Sequence, residues 1–341
     1  MIATPPLTVV EICAGAGGQS LGLEQAGFAH AAAVEFDPDA CATLRLNRPA
    51  WEVIEQDVHL FDGRPYRGID LLAGGVPCPP FSVAGKQLGA ADERDLFPEA
   101  LRLVQETKPK AVMLENVRGL STARFSTYRQ QILSQLDELG YECDWQVINS
   151  SEHGVPQLRP RFILVALQKR FSGTFRWPEP VGTPPTVGQV LLPMMASRGW
   201  PGADAWAARA NGIGPTLVGG SRKHGGPDLG PTRARSAWLG LGVDGRGLAN
   251  EVPDDSYPAD YLPRLTVQMA ALVQGFPSDW VFSGRKTASY RQVGNAFPPP
   301  VARAIGRSIR SAIGAGKGPS LKQRVPSAGP TSRKMSPSVF N

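Results

Sequence analysis

Apolar and polar residues alternate along positions 9–175 in a pattern that predicts a sheet covered by helices. Short apolar runs, typical of buried strands, lie at 9–12, 70–73, 111–114 and 161–167. Amphipathic stretches separate these runs, and one has apolar residues at i, i+3, i+4 and i+7: Phe97, Ala100, Leu101 and Val104. A second predicted helix ends at Gly140. The order of elements predicts an α/β fold with a parallel sheet.

The first predicted strand, Val9–Ile12, leads into a glycine-rich turn and then into a helix closed by Gly27. Glycine lets the backbone approach a ligand, although such turns also occur for packing reasons. Glu35 follows about 20 residues later, where a carboxylate can accept hydrogen bonds from both ribose hydroxyls. The unit predicts a nucleotide-type cofactor, and its spacing suits NAD and S-adenosylmethionine equally.

The pattern changes after residue 175, where proline-, glycine- and arginine-rich sequence shows little periodicity up to residue 263. We interpret residues 176–263 as a separate small domain. Its basic residues form either a nucleic-acid surface or a solvated loop. The four that cluster before Trp238 are Arg222, Lys223, Arg233 and Arg235.

Residues 264–313 return to the α/β pattern, with Thr266 as the cap of one helix, Gly275 as its end, and a last helix after Pro299. Residues 314–341 are rich in Gly, Pro, Ser and Lys, which predicts a disordered basic tail.

Composition changes this picture only in part. The 341 residues are 42% hydrophobic and 19% charged, which excludes a disordered chain, and no apolar run reaches the length of about 18 residues that a membrane span needs. No secretory signal is recognisable, so we expect a cytoplasmic protein. The net charge is +6, but the basic tail carries it and the remainder is near neutral, so charge alone does not establish a DNA partner.

The four cysteines are scattered, which predicts neither a disulfide framework nor a metal site. Cys78 differs from the other three cysteines in its sequence context. It lies between two prolines in GGVPCPPFS, shortly after the strand at 70–73. A rigid turn at the carboxyl edge of a sheet suits a nucleophile, while a buried small hydrophobe is the alternative. The turn also resembles the Asn- or Asp-Pro-Pro-Tyr/Phe turn of amino-group methyltransferases, but a thiol accepts hydrogen bonds poorly.

Two further segments bring charge to the same edge. Glu115 ends the strand at 111–114, and Gln157, Arg159 and Arg161 stand at alternate positions entering the strand at 161–167. The alternation predicts that both arginines face the same side. A surface acid and a surface arginine pair are the alternatives.

Five motifs now stand in a fixed order: EICAGAGG, GGVPCPPFS, ENV, QLRPR and RQVGNAFPPPVA. In these the chain resembles the DNA cytosine-5 methyltransferases, in particular those of bacterial type II restriction-modification systems. The resemblance implies a catalytic domain of mixed, doubly wound, Rossmann-like type that binds S-adenosylmethionine. It also implies a catalytic domain at 1–175, a target-recognition domain at 176–263, and a return to the catalytic domain at 264–313.

The resemblance further implies the chemistry. Cys78 would attack carbon 6 of a flipped-out cytosine so that carbon 5 becomes nucleophilic. Glu115 would contact ring nitrogen 3 and the amino group, Arg161 would hold the base oxygen, and Arg159 would support the site.

Within the implied cofactor site, Glu35 would bind the ribose, Phe36 would lie against the adenine and Asp57 would accept from its amino group. The full set is Cys13, Gly15, Gly17, Gly18, Glu35, Phe36, Asp57, Val58, Leu96 and Asn295. The chain departs from the family in four places: Cys13 replaces a usual phenylalanine, Pro79 a common glutamine, and Gln268 with Met269 a frequent Arg-Glu pair.

We therefore expect a monomeric enzyme that methylates a specific duplex DNA sequence and is paired in function, without a stable complex, with a restriction endonuclease. A transfer RNA methyltransferase and a non-catalytic DNA-binding relative are the alternatives. A nicotinamide oxidoreductase would explain the first turn and Glu35, but it would leave the Pro-Cys loop and QLRPR unused.

Overall fold

The predicted strands at 9–12, 70–73, 111–114 and 161–167 belong to one seven-stranded sheet, which has the order β3-β2-β1-β4-β5-β8-β6. The computed structural model describes residues 6–77, 95–220 and 228–315. The strands are β1 Leu7–Ile12, β2 Phe28–Glu35, β3 Val53–Glu55, β4 Leu71–Gly75, β5 Ala111–Val117, β6 Tyr141–Asn149, β7 Gln157–Leu158, β8 Pro160–Gln168 and β9 Gly214–Pro215. The last short strand pairs with β7 in a separate two-stranded ladder.

The sheet is mixed, as the family resemblance implied, whereas the parallel arrangement expected from the order of elements alone is found only in part of it. Strands β1 to β5 are parallel, but β8 runs antiparallel to both β5 and β6. Parallel strands need a crossover of a dozen or more residues, and the connection 150–159 between β6 and β8 is shorter than that. The chain therefore reverses directly. The long strand β6, a sheet edge with only its ends buried, was not predicted.

Helices cover both faces of the sheet, as the predicted doubly wound fold requires. They are α1 Gly18–Gln25, α2 Pro38–Asn47, α3 Phe97–Thr107, α4 Ser126–Glu138, α5 Lys169–Ser172, α6 Val187–Met195, α7 Ala203–Arg209, α8 Thr232–Gly240, α9 Val267–Val273, α10 Lys286–Asn295 and α11 Pro299–Ala315. None of the helices in the described ranges has the length and apolar character needed to cross a membrane.

Neighbouring strand residues point to opposite faces and so enter different cores. Val10 and Leu72 pack with α3 and α4, whereas Val9 and Leu71 pack with α11. Helix α11 buries a stripe at four-residue spacing, Val301, Ile305, Ile309 and Ile313. It lies so close to α1 that a Cβ at Gly22 would be 2.5 Å from that of Ala302.

A third core joins residues 187–248 to residues 265–296. Trp200, Trp206 and Trp238 are buried in it, and it includes helices α6 to α8, which the sequence pattern did not predict. The predicted cap and end of α9 are confirmed, since Thr266 Oγ1 accepts from the Met269 N–H at 3.1 Å and Gly275 has φ +88°. Because side chains from both sides of residue 263 share this core, the domain boundary there stays a prediction.

Candidate active site

The glycine turn after β1 has the backbone that its sequence predicted. Gly15 and Gly17 have φ of +54° and +86°, and Cys13, a residue with a Cβ, is also left-handed at +52°. A Cβ at Gly17 would be 2.8 Å from Leu44 Cδ2, whereas one at Gly15 would meet nothing within 4 Å. The turn is therefore tightly packed on its inner side at Gly17 and open at Gly15.

Glu35 holds this turn to the end of β2. Its carboxylate accepts backbone N–H groups from Gly15 at 2.8 Å, Phe36 at 2.9 Å and Asp37 at 2.8 Å. Burial raises the pKa of Glu35, while these three hydrogen bonds oppose the rise because they favour the charged form. The carboxylate is thus fixed in orientation at the carboxyl edge of the sheet.

Phe36, Asp57 and Val58 lie near the end of β2, because Phe36 follows Glu35 and the Gln56 N–H donates to the Glu35 carbonyl at 2.9 Å. The Phe36 side chain is 65% exposed, and Val58 is buried beside Asp57, whose Oδ1 accepts from the His59 N–H at 3.0 Å. Burial, together with the nearby carboxylates of Glu35 and Asp57, raises the pKa of Cys13, so Cys13 remains a thiol. An open glycine turn, a fixed carboxylate and an exposed ring suit an adenosyl group, with its hydroxyls and flat apolar face.

Leu96 and Asn295, also proposed for the cofactor site, lie on other elements, at the start of α3 and at the end of α10. The half-buried Leu96 precedes α3, and its N–H donates to the carbonyl of Pro77 at 3.3 Å. Asn295 is exposed at the end of α10 and donates from Nδ2 to the carbonyl of Gly220 at 3.1 Å.

Glu115 and Arg161 form an ion pair at the same edge of the sheet. In the antiparallel register of β5 and β8, Glu115 lies opposite Ile163 and Val117 opposite Arg161, so the two charged side chains are diagonal neighbours on one face. Arg161 Nε lies 2.8 Å from Glu115 Oε1, and each side chain is 12% exposed. Burial raises the pKa of Glu115, and the guanidiniums of Arg161 and Arg159 limit that rise.

The strand that leads to Cys78 runs directly beside this pair. Gly75 pairs with Glu115, and a Cβ on Gly75 would be 3.4 Å from Glu115 Oε2. Asn116 Nδ2 donates to the carbonyl of Val76 at 2.7 Å. Cys78 itself, with Pro79, lies outside the described residues. Asn116 carries no sequence signal beyond its place in ENV.

Comparison with known proteins decides between the families that such a site allows. The model of the C-5 cytosine-specific DNA methylase family matches residues 7–206 and 232–311. The chain belongs to this family. It is 58% identical over 311 residues to the type II methyltransferase M.NaeI of Lentzea aerocolonigenes, a match that covers 90% of this chain and 75% of that protein.

A second relative, the type II methyltransferase M.NgoMIV of Neisseria gonorrhoeae, is 53% identical over 310 residues, or 90% of this chain and 98% of that protein. The crystal structure of a prophage-encoded E. coli protein superposes with a TM-score of 0.64 at 25% identity, covering 90% of this chain and 99% of that chain. The predicted family and the Rossmann-like fold of S-adenosylmethionine-dependent methyltransferases are confirmed. The chain is a DNA cytosine-5 methyltransferase, and the matches favour DNA over transfer RNA.

In this methyltransferase, Arg159 contacts backbone carbonyls. It is fully buried and donates from Nη1 to Leu217 at 2.7 Å and from Nη2 to Gly294 at 2.8 Å and Ala296 at 3.0 Å. These contacts tie the QLRPR segment to two distant parts of the chain. Its supporting role stays a prediction, but its hydrogen bonds show how such support would act.

Two buried glutamines complete this junction, and sequence reasoning missed the second. Gln157 Oε1 accepts from the Leu217 N–H at 2.9 Å, and its Nε2 donates to Gln274 Oε1 at 2.5 Å. Gln274 Nε2 in turn donates to the carbonyl of Ala296 at 2.5 Å. Both polar groups of Leu217 are thereby held, one by Gln157 and the other by Arg159. Apart from its place just before a helix-ending glycine, Gln274 carries no sequence signal.

The methyltransferase's departures from its family can be followed at two positions. Met269 is buried in the third core, and Gln268 Nε2 donates to the carbonyl of Ser278 at 2.8 Å. Packing and a neutral hydrogen bond thus stand where relatives often carry an ion pair.

The predicted DNA contacts are only partly described. Arg222 and Lys223 lie outside the described residues, and both fall in 207–231, which the family match omits. Arg233 is exposed on α8, while Arg235 is half-buried and lies 3.7 Å from Asp228.

Proposed function

We propose that this enzyme methylates carbon 5 of one cytosine within a specific duplex sequence and thereby protects host DNA from a restriction endonuclease. The Glu115–Arg161 pair, which lies beside the strand leading to Cys78, is the observation that carries the proposal. Two relatives above 50% identity are type II methyltransferases, which supports the link to restriction.

Cys78 begins the reaction as a thiolate that adds to carbon 6 of the cytosine ring. The addition places negative charge on the ring, and a proton from Glu115 at ring nitrogen 3 neutralises it. The raised pKa of Glu115 suits it to carry that proton. Arg161, held by Glu115, donates to the base oxygen. After methylation at carbon 5, ring nitrogen 3 returns its proton to Glu115, water takes the proton from carbon 5, and elimination of Cys78 as a thiolate restores the aromatic ring.

S-adenosylmethionine supplies an electrophilic methyl group when it is bound. Glu35 accepts hydrogen bonds from the ribose hydroxyls, Phe36 packs against the adenine and Asp57 accepts from the adenine amino group. Gly15, whose Cα faces open space, lets the ligand approach the backbone. Val58, Leu96 and Asn295 complete the surroundings.

The target cytosine must leave the helix, because a stacked base gives no access to carbon 6. Basic residues of segment 176–263, among them Arg233 and Arg235, hold the duplex while the base is out. The enzyme acts as a cytoplasmic monomer and makes no stable complex with its endonuclease.

The test is bisulfite sequencing of plasmid DNA from cells that express the wild-type enzyme, Cys78→Ala or Cys143→Ala. The last variant is a matched control, since Cys143 is a half-buried cysteine on β6. We expect protected cytosines in one sequence context with the wild type and with Cys143→Ala, and none with Cys78→Ala. If the wild-type protein protects no cytosine, although it is folded and binds S-adenosylhomocysteine, the proposal is wrong and the protein is a transfer RNA methyltransferase or a non-catalytic relative.

A further inference from the structure

Asp244, in the loop after α8, holds two arginines in place. Its Oδ1 accepts from the N–H of Arg246 at 3.1 Å and from Arg246 Nε at 2.9 Å. Its Oδ2 accepts from Arg246 Nη2 at 3.2 Å and from Arg264 Nε at 2.9 Å. Asp244 is 9% exposed, whereas the Arg246 side chain is 75% exposed. Since both guanidiniums favour its charged form, the pKa of Asp244 lies far below its usual range.

This arrangement fixes the plane of an exposed guanidinium. Asp244 takes the edge of Arg246 formed by Nε and Nη2, so the second edge, formed by Nη1 and the remaining Nη2 proton, is directed away from the protein. Two coplanar donors at that spacing match the O6 and N7 acceptors of guanine in the major groove. The same two donors also fit a phosphate bidentately, so the two contacts are distinguished by their dependence on base identity and on salt.

Stability does not account for the exposure of Arg246. Surface ion pairs contribute little, and Asp244 already receives a second guanidinium from Arg264. The Nε and Nη2 atoms of Arg246 are bound by Asp244, while most of the side chain is exposed to solvent. This arrangement suits an interaction with a binding partner.

The loop also lies beside the surface that we propose for DNA. The carbonyl of Gly245 accepts from the Leu229 N–H at 3.0 Å, and a Cβ at Gly245 would be 3.2 Å from the Arg235 side chain. Leu229 follows shortly after Arg222 and Lys223 in the sequence. On the other side, a Cβ at Gly230 would be 3.8 Å from Val218, which adjoins the residue held by Arg159. The loop therefore contacts Arg235 directly and, through Leu229, the segment that reaches Val218.

We propose that Arg246, oriented by Asp244, reads a guanine of the recognition sequence through the major groove. The proposal rests on the proposed function, because it needs a sequence-specific duplex substrate. Arg246 becomes a specificity-determining residue, and Asp244 is its positioning residue.

The experiment measures equilibrium binding to duplexes that carry the mapped recognition sequence, with 7-deazaguanine at each guanine in turn. This analogue lacks the N7 acceptor and keeps Watson–Crick pairing. We expect wild-type affinity to fall roughly fivefold or more at one guanine. Arg246→Lys keeps the charge without the fork, so it should bind unmodified DNA roughly 5- to 150-fold more weakly and lose nothing further at that guanine.

Two comparisons make the result decisive. Arg198→Ala is the control, because Arg198 is also paired with carboxylates, Glu251 and Asp254, and should keep the sensitivity of the wild type to 7-deazaguanine. Arg246→Ala overturns the proposal if it weakens every duplex equally and flattens the salt dependence by about one phosphate contact. Wild-type affinity in both Arg246 variants would also overturn it. Failure of the proposed function looks different, since the wild type would then modify no DNA sequence at all.

Discussion

Arg161 donates from Nε to Glu115 Oε1 across 2.8 Å, although the two residues are separated by a helix and an entire strand along the chain. The antiparallel pairing of β5 and β8 makes them neighbours, and burial keeps both largely out of water. As a result, the acid has a raised pKa while its orientation is fixed by the arginine. Both properties depend on the strand order of the sheet.

We expect Glu115→Gln to lower kcat by roughly 100- to 10,000-fold with little change in KM for DNA, because an amide cannot transfer the proton. In the wild type the rate should fall as pH rises through the raised pKa of Glu115, since the proton is then lost, and the variant should lack this fall. Single-turnover methylation across pH measures both effects. Glu24→Gln removes a surface carboxylate paired with Arg48 and should change neither. A Glu115→Gln rate within twofold of the wild type would contradict the assignment.

Glu35→Gln should weaken binding of S-adenosylhomocysteine by roughly 10- to 100-fold, because a charged acceptor is replaced by a neutral group with one oxygen. Titration calorimetry measures this affinity. Glu55→Gln is the matched control. Glu55 lies opposite Glu35 in the register of β2 and β3, but its side chain is exposed. Equal affinities of the two variants would show that Glu35 does not contact the ligand.

Arg159→Met should lower the free energy of unfolding by about 2 to 4 kcal/mol, because the buried carbonyls of Leu217 and Gly294 lose the donor that Arg159 provides, while Ala296 keeps Gln274. Urea denaturation measures the change. Arg176 also donates to carbonyls but is exposed, so Arg176→Met leaves groups that water can reach and should cost less than about 1 kcal/mol. If both variants lost the same free energy of unfolding, the hydrogen bonds of the buried Arg159 would contribute no more to stability than those of the exposed Arg176.

Asp244→Asn should destabilise the protein by roughly 0.5 to 1 kcal/mol at neutral pH, because two exposed arginines lose their charged partner and exposed ion pairs contribute little each. Since the folded pKa of Asp244 lies below the unfolded value, its contribution is complete above about pH 4 and is lost as pH falls through the folded value. Thermal unfolding from pH 7 down to pH 2 should therefore show the gap to the wild type narrowing only below about pH 4. The control Asp260→Asn, at an exposed position, should have the stability of the wild type at every pH. A stability difference between Asp244→Asn and the wild type that stays constant down to pH 2 would contradict the prediction.

Local patterns were sufficient for much of the fold. The glycine turn, Glu35 at the end of β2, the cap at Thr266 and the stripe of α11 each depend on residues within a few positions of one another. Helices α6 to α8 were missed because they are short and stand among prolines and glycines, although α6 buries Val187, Leu191 and Met195 at four-residue spacing. The edge strand β6 was missed because its half-exposed residues show no alternation.

By itself, therefore, the sequence determined the class of fold, the family and the residue types at the carboxyl edge of the sheet, because five ordered motifs and local periodicity carry that information. Only the tertiary structure decided how those residues meet. The antiparallel entry of β8 makes Arg161 the partner of Glu115, and the buried junction directs Arg159 to the carbonyls of Leu217, Gly294 and Ala296. These contacts join residues that are 46 to 137 positions apart in the chain. No local pattern encodes them, because strand pairing and burial are properties of the whole packed chain.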